Sequence, residues 1–230
     1  MELDGARVLV CGASGALGGA LATALRDEGA RVVPAGRSPQ DLADLADRLG
    51  TEALGFDVVD VASCGRVVAG AVEQLGGLDA LVVTVGVAGF GRAVELDDAV
   101  AEELFAVNAL GPMALVRAAA PHLEGGAAVV VSAVLADLPT AQMADYSAAK
   151  GALSTWLGVV RREERRRMRV LDVRPPHLDT GLETRALAGE PPRLPAPASS
   201  GAVVSAVVAA MRQDAREIVV DPGSGELVTR

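Results

Sequence analysis

Short apolar runs recur along the chain, separated by longer stretches whose apolar residues fall at helical spacing. The runs cover residues 7–11, 31–35, 52–56, 80–84, 127–132, 169–173 and 217–220. They are rich in Val and Leu, and near-continuous runs of this length suit strands buried on both faces. Between them, Leu17, Leu21, Ala24 and Leu25 share one helical face, as do Leu153, Leu157 and Val160. Repeated strand–helix–strand units imply right-handed crossovers and a parallel sheet with helices on both faces. The expected fold is α/β, a doubly wound parallel sheet of about seven strands in one domain over residues 1–230. No long linker or repeat interrupts the pattern.

The least regular stretch is residues 174–200, with Pro175, Pro176, Pro191, Pro192, Pro195 and Pro197. Proline at this density cannot lie inside a sheet, so about residues 175–198 are expected to form a substrate-binding loop. Its modest length argues against a bulky enclosing lid.

Composition narrows the partners. Aromatic residues make up 2% of the chain, so Ala, Val and Leu must fill the core. A net charge of -9 argues against a nucleic-acid surface, because phosphates are held mainly by Lys and Arg. The basic run from Arg161 to Arg169 is interrupted by Glu163 and Glu164 and reads as a solvated helix end. Cys11 and Cys64 show neither metal-type nor disulfide spacing. No apolar run approaches the ~20 residues of a membrane span, and no signal peptide opens the chain. The expectation is a cytoplasmic protein with no metal and no membrane partner.

The first apolar run leads into Cys11-Gly12-Ala13-Ser14-Gly15-Ala16-Leu17-Gly18-Gly19, which opens a helix. Glycine permits a sharp turn and lets a pyrophosphate approach backbone without meeting a Cβ, while the helix N-terminus offers N–H groups. This points to a Rossmann-like dinucleotide site, with Gly12, Ser14, Gly15, Leu17 and Gly18 as cofactor contacts, although the spacing is not G-x-G-x-x-G. The second run ends Ala35-Gly36-Arg37-Ser38, with no carboxylate for a ribose 2′-hydroxyl. Arg37 instead offers a planar fork of donors to a 2′-phosphate, which favours NADP(H) over NAD(H).

The chain has one tyrosine, Tyr146, and one lysine, Lys150, against twenty arginines. Residues i and i+4 share a helical face. An ammonium beside a phenol favours the phenolate, which would make Tyr146 a usable proton donor near neutral pH. A compact ammonium is not interchangeable with the arginine used everywhere else.

Taken in order, these features resemble the classical short-chain dehydrogenases/reductases over essentially the full chain. The glycine turn, Asp57-Val58 after the third run, Asn108 in Phe105-Ala106-Val107-Asn108, the pair Tyr146 and Lys150, and the loop Pro175 to Thr180 all fall in the family's order. The resemblance implies that Tyr146 protonates a carbonyl oxygen and that Lys150 binds the nicotinamide ribose. It implies that Asn108 holds a relay water, that Gly86, Asp57 and Val58 touch the cofactor, and that Leu178 and Thr180 fix its carboxamide. It also implies a homodimer or homotetramer.

Three departures stand out. The family's N-N-A-G reads Val83-Thr84-Val85-Gly86. The catalytic serine's register falls on Ala133, with Ser132 one residue early and able to reach a carbonyl only through a strand-end bulge. Pro176 replaces the usual glycine and is followed by His177, a candidate substrate contact. Val87, Leu135, Met143 and Leu182 would line an apolar pocket. The leading expectation is a reductase or reversible dehydrogenase for a small, largely apolar carbonyl compound. The alternative is a catalytically degenerate NADP(H)-binding sensor or scaffold.

Overall fold

The computed structural model describes residues 1–230. Eight strands form one sheet: β1 Arg7–Cys11, β2 Arg31–Gly36, β3 Leu54–Gly55, β4 Ala80–Val83, β5 Ala127–Val131, β6 Arg169–Val173, β7 Glu217–Val220 and β8 Leu227–Thr229. Their order is β3-β2-β1-β4-β5-β6-β7-β8. The strands from β3 across to β7 pair in parallel, and β8 returns antiparallel on the edge. The helices are α1 Ala16–Asp27, α2 Ala43–Leu49, α3 Val61–Leu75, α4 Asp98–Phe105, α5 Gly111–Ala119, α6 Ala144–Glu163 and α7 Ser200–Arg212.

The doubly wound parallel sheet is as expected, with one more strand. Residues 227–229 are too few to display a period, and only the hairpin with β7 makes them a strand. The third strand contracts to two residues because just Ala35↔Leu54 and Gly36↔Gly55 pair at that edge.

Alternation along each strand explains the continuous apolar runs. On β5, Ala128 and Val130 point into one core and Val129 into the other. The first core packs α3, α5 and α6 against the sheet through residues such as Val67, Leu115 and Leu157. The second packs α1 and α7 through Leu21, Leu25, Val203 and Val207. Each fully buried leucine contributes about 1.5–3 kcal/mol from its lost water contact.

Two expectations need correction here. The helical run Asp98–His122 has 25 residues and holds an 18-residue window of mean hydropathy 1.4, long and apolar enough by composition to cross a membrane. It is a core helix here, with Leu104, Val107, Leu115 and Val116 buried. The arginine run is not wholly solvated either. Arg161 donates from Nε to the Val170 carbonyl and from Nη1 to Glu217, tying the end of α6 to β6 and β7, and Arg169 donates to the Met211 carbonyl, tying β6 to α7. Cys11 and Cys64 are both buried and free, and burial pushes the Cys64 thiol up to about 11.

Candidate active site

The strand order changes direction between β1 and β4, and a crevice opens beyond their carboxyl ends, where α/β sheets place ligands. It is a cleft of about 480 Å³. Gly12 turns the chain there at φ +91, a left-handed conformation that favours glycine. A Cβ on Gly12 would lie 2.7 Å from Thr84 Oγ1, and one on Gly18 would lie 2.3 Å from the Gly12 carbonyl oxygen. Thr84 Oγ1 lies within hydrogen-bonding distance of the carbonyls of Cys11 (3.1 Å) and Gly12 (3.2 Å). The residue standing in the altered N-N-A-G segment thus braces the glycine turn. Helix α1 has no side-chain cap and no acidic residue in its first turn, so its positive end is left for an anion. Ser14, Gly15, Leu17 and Gly86 line the same cleft, and these features fit a dinucleotide pyrophosphate.

Arg37 is exposed on the rim just past β2. Asp57 and Val58 line the cleft after β3, and Asp57 Oδ1 accepts from the Val59 amide at 3.1 Å.

Helix α6 carries Tyr146 and Lys150 onto the cleft wall, 7% and 3% exposed. Lys150 Nζ lies 6.0 Å from the Tyr146 ring centroid and donates to the Val131 carbonyl at 3.2 Å. Burial governs both groups. It pushes the Tyr146 phenol up to about 12 and pulls Lys150 down to about 8, the latter against the opposing charge of Asp172. The expected lowering of the phenol by its lysine is therefore corrected, since desolvation is the cause that acts on the tyrosine.

Asn108 sits in a π-helical turn, Ala106–Leu110, between α4 and α5. Its Nδ2 donates to the Val87 carbonyl at 2.9 Å and its Oδ1 accepts from the Val87 amide at 3.2 Å. The side chain is fully buried and braces the segment after β4, beside the cleft residue Gly86.

Ser132 also departs from expectation. Its Oγ donates to Asp172 Oδ1 at 2.5 Å, and the residue is 2% exposed. Ser132 lines the cleft, but its hydroxyl is engaged by Asp172. Ala133 packs with Met143 and Tyr146 in a small apolar cluster with Ala88, Phe90 and Leu104.

Residues 175–198 lie across this cluster. The Leu187 amide donates to Ala88 (2.8 Å) and the Phe90 amide to Ala188 (2.9 Å), while Leu178 bridges Ala198. Leu182, Leu187 and Leu194 pack onto the cluster, and Val87 and Leu135 join from below. Despite its modest length the segment covers the site, because backbone hydrogen bonds pin its middle as well as its ends. Leu178, Thr180 and His177 line the cleft. His177 Nδ1 is 2.9 Å from the Pro195 carbonyl, which only accepts, so Nδ1 carries the proton. Its Nε2 faces Glu183 Oε2 at 3.5 Å, and neither atom has another partner.

Glu183 and Asp172 escaped the sequence reading. Glu183 is brought to His177 by an irregular loop that carries no period. Asp172 did leave a signal, as a lone carboxylate inside the apolar strand Arg169–Val173.

Residues 6–191 match the short chain dehydrogenase family. An uncharacterized oxidoreductase of Methylorubrum extorquens is 36% identical over 197 residues, covering 82% of this chain and 79% of that protein. The cyclic-di-GMP-binding biofilm dispersal mediator protein of Escherichia coli is 36% identical over 152 residues, 65% of this chain and 62% of its own length. The structure of a short chain dehydrogenase from Burkholderia cenocepacia in complex with NADP superposes with a TM-score of 0.79 at 27% identity, over 92% of both chains.

Proposed function

The chain belongs to the short-chain dehydrogenase family and is an NAD(P)-dependent oxidoreductase; from that premise we propose that it is an NADP(H)-dependent ketoreductase, or secondary-alcohol dehydrogenase, for small, largely apolar carbonyl compounds. The observation that carries this reading is the sole tyrosine and sole lysine standing together on the wall of the glycine-turn cleft, under an apolar roof.

Gly12, Gly15, Gly18 and the open end of α1 would hold the pyrophosphate, Arg37 the 2′-phosphate, Asp57 and Val58 the adenine end, and Gly86, Leu178 and Thr180 the nicotinamide end. When bound, the cofactor supplies or accepts the hydride. Tyr146 keeps its proton through neutral pH and donates it from Oη to the carbonyl oxygen. Lys150 holds the ribose with its ammonium. Ala88, Ala133, Met143 and Leu182 exclude water and select an apolar substrate. With Ala133 in the serine's register, the second carbonyl donor must come from elsewhere. His177 lines the cleft, but its Nδ1 is engaged by the Pro195 carbonyl and its Nε2 faces Glu183 Oε2.

A binding-only reading, as an NADP(H)-dependent sensor or scaffold, draws on Ala133 and on the E. coli relative named for cyclic-di-GMP binding. A panel of apolar ketones and aldehydes with NADPH separates the two. Cofactor consumption that disappears in Tyr146→Phe supports the enzyme. Tight NADPH binding with no turnover on any carbonyl supports the sensor. We extend the proposal to a homodimer or homotetramer formed through α5 and α6, where Val159 and, at the end of the turn before α5, Leu110 are exposed and Arg117 stacks over Trp156.

A further inference from the structure

Lys150 is buried, and its one hydrogen bond goes to a carbonyl rather than a carboxylate. An ammonium in such a place tends to lose its proton unless a negative charge stands near. The carboxylate whose charge opposes this is Asp172 on β6, which is 1% exposed, lies opposite Val130 in the sheet register and makes no direct ion pair with Lys150. Its oxygens are held separately: Oδ1 accepts from Ser132 Oγ at 2.5 Å, and Oδ2 accepts from Ser154 Oγ at 2.6 Å.

The two serines come from the segments that also carry Lys150. Ser132 directly follows Val131, whose carbonyl receives the Lys150 proton, and Ser154 lies one helical turn beyond Lys150 on α6. Burial pushes the Asp172 carboxyl up from its ordinary range, and the two short serine hydrogen bonds pull it back toward the ionised form. Arg174 Nε faces Oδ2 at 3.6 Å with no other partner, while its Nη atoms pair with Asp137 and Glu217 at 2.8 and 2.7 Å, so Asp172 answers to Arg174 as well as to the lysine. A carboxylate in an apolar strand is costly where a hydrophobic residue would pack.

We propose that Asp172 is a positioning residue: clasped by Ser132 and Ser154, it is the buried counter-charge that keeps Lys150 an ammonium against Val131 on the cleft wall. The charged surroundings agree. Tyr146, from the same helix, is a neutral phenol. From β6 come Asp172 and, just beyond it, Arg174; Arg161 on α6 is paired with Glu217 of β7, and β4 and β5 bring no charged side chain. Asp172 is the charge that opposes the effect of burial on Lys150. The clasp also accounts for the serine that sits one residue early: Ser132 serves the lysine's counter-ion and leaves the carbonyl to other donors.

The use assigned to that ammonium rests on the proposed function, but the test does not. Lys150 is the only lysine, so the full-length protein grown with isotopically labelled lysine gives one side-chain NMR signal to titrate. The midpoint is expected near pH 8 in the native protein. In Asp172→Asn, which keeps the shape and removes the charge, it should fall by about one pH unit or more. Ser132→Ala and Ser154→Ala each release one oxygen of the clasp and should lower it by less. If Asp172→Asn does not fold, these two variants decide. A midpoint unmoved in the folded variants overturns the clasp, whereas absence of turnover on carbonyl compounds with an intact midpoint shift overturns only the ketoreductase reading.

Discussion

At the nucleotide end of the cleft, the chain passes from β1 through Gly12 into α1 within a few residues, and the turn is shaped by backbone contacts and one side-chain brace, Thr84 Oγ1. At the substrate end, Ala133 follows β5, Met143 and Tyr146 come with α6, Phe90 follows β4, and Leu182 and Leu194 arrive from residues 175–198. The first end is local and generic. It tolerates few Cβ atoms, since one at Gly18 would lie 2.3 Å from a carbonyl oxygen, but it asks little of its side chains. The second is assembled from distant segments, and its chemistry rests on single side chains. One end should therefore fail through geometry and the other through chemistry.

Tyr146→Phe should give the largest effect. Removing the hydroxyl should lower kcat by roughly 10²-fold or more, the scale of a lost general acid, and leave the NADPH dissociation constant nearly unchanged. Stopped-flow turnover beside fluorescence binding checks both, and parallel losses in the two would erase the division between the ends. The same residue offers a spectroscopic test. As the only tyrosine, it should show phenolate absorbance in the free protein only as pH approaches about 12.

Gly18→Ala probes the other end. The added methyl meets backbone and Thr84 Oγ1 rather than a flexible side chain, so overpacking should cost about 1–3 kcal/mol and weaken NADPH binding. Thermal unfolding with and without NADPH measures both. An unchanged Tm and dissociation constant would mean that the turn relaxes freely. Arg37→Asp should be milder, because Arg37 is exposed on the rim. Exchanging a phosphate-binding fork for a carboxylate should move preference from NADPH toward NADH by about tenfold or more, worth ~1.4 kcal/mol in relative binding. Tighter NADH than NADPH binding in the unmodified protein would defeat this prediction at the outset.

The same division governs what could be read from sequence. Strands buried on both faces, the glycine turn and the i, i+4 pair of Tyr146 and Lys150 are written in local periods, so the sheet and the placement of that pair were legible. The direction of the Ser132 side chain was not. It depends on Asp172, forty residues away, and on Ser154 across the packed helix. The balance of charges was equally hidden: spacing alone put an ammonium beside a phenol, whereas the fold buries both and lets desolvation dominate. The covering role of residues 175–198 comes from backbone bonds to Ala88 and Phe90, which leave no sequence period.

Ser132→Ala should have the smallest effect, and its pH dependence makes it informative. If Ser132 polarised the carbonyl, its loss would cost on the order of 10²-fold at every pH, as for an oxyanion donor. With its hydroxyl committed to Asp172, turnover at neutral pH should change by less than about threefold, within ~0.7 kcal/mol. The deficit should instead grow on the alkaline side. Burial holds Lys150 near 8, below its ordinary 10.5, so the ammonium is present below about pH 8 and is lost as pH rises through that value. A clasp missing one hydroxyl lets Asp172 relax away from Lys150 and lowers that midpoint further. The variant should therefore match the native enzyme in acid and fall behind first near pH 8, mainly through a weaker hold on NADPH. A uniform drop of two orders of magnitude at all pH values would return Ser132 to the carbonyl and make the two ends of the cleft alike in their dependence on single side chains.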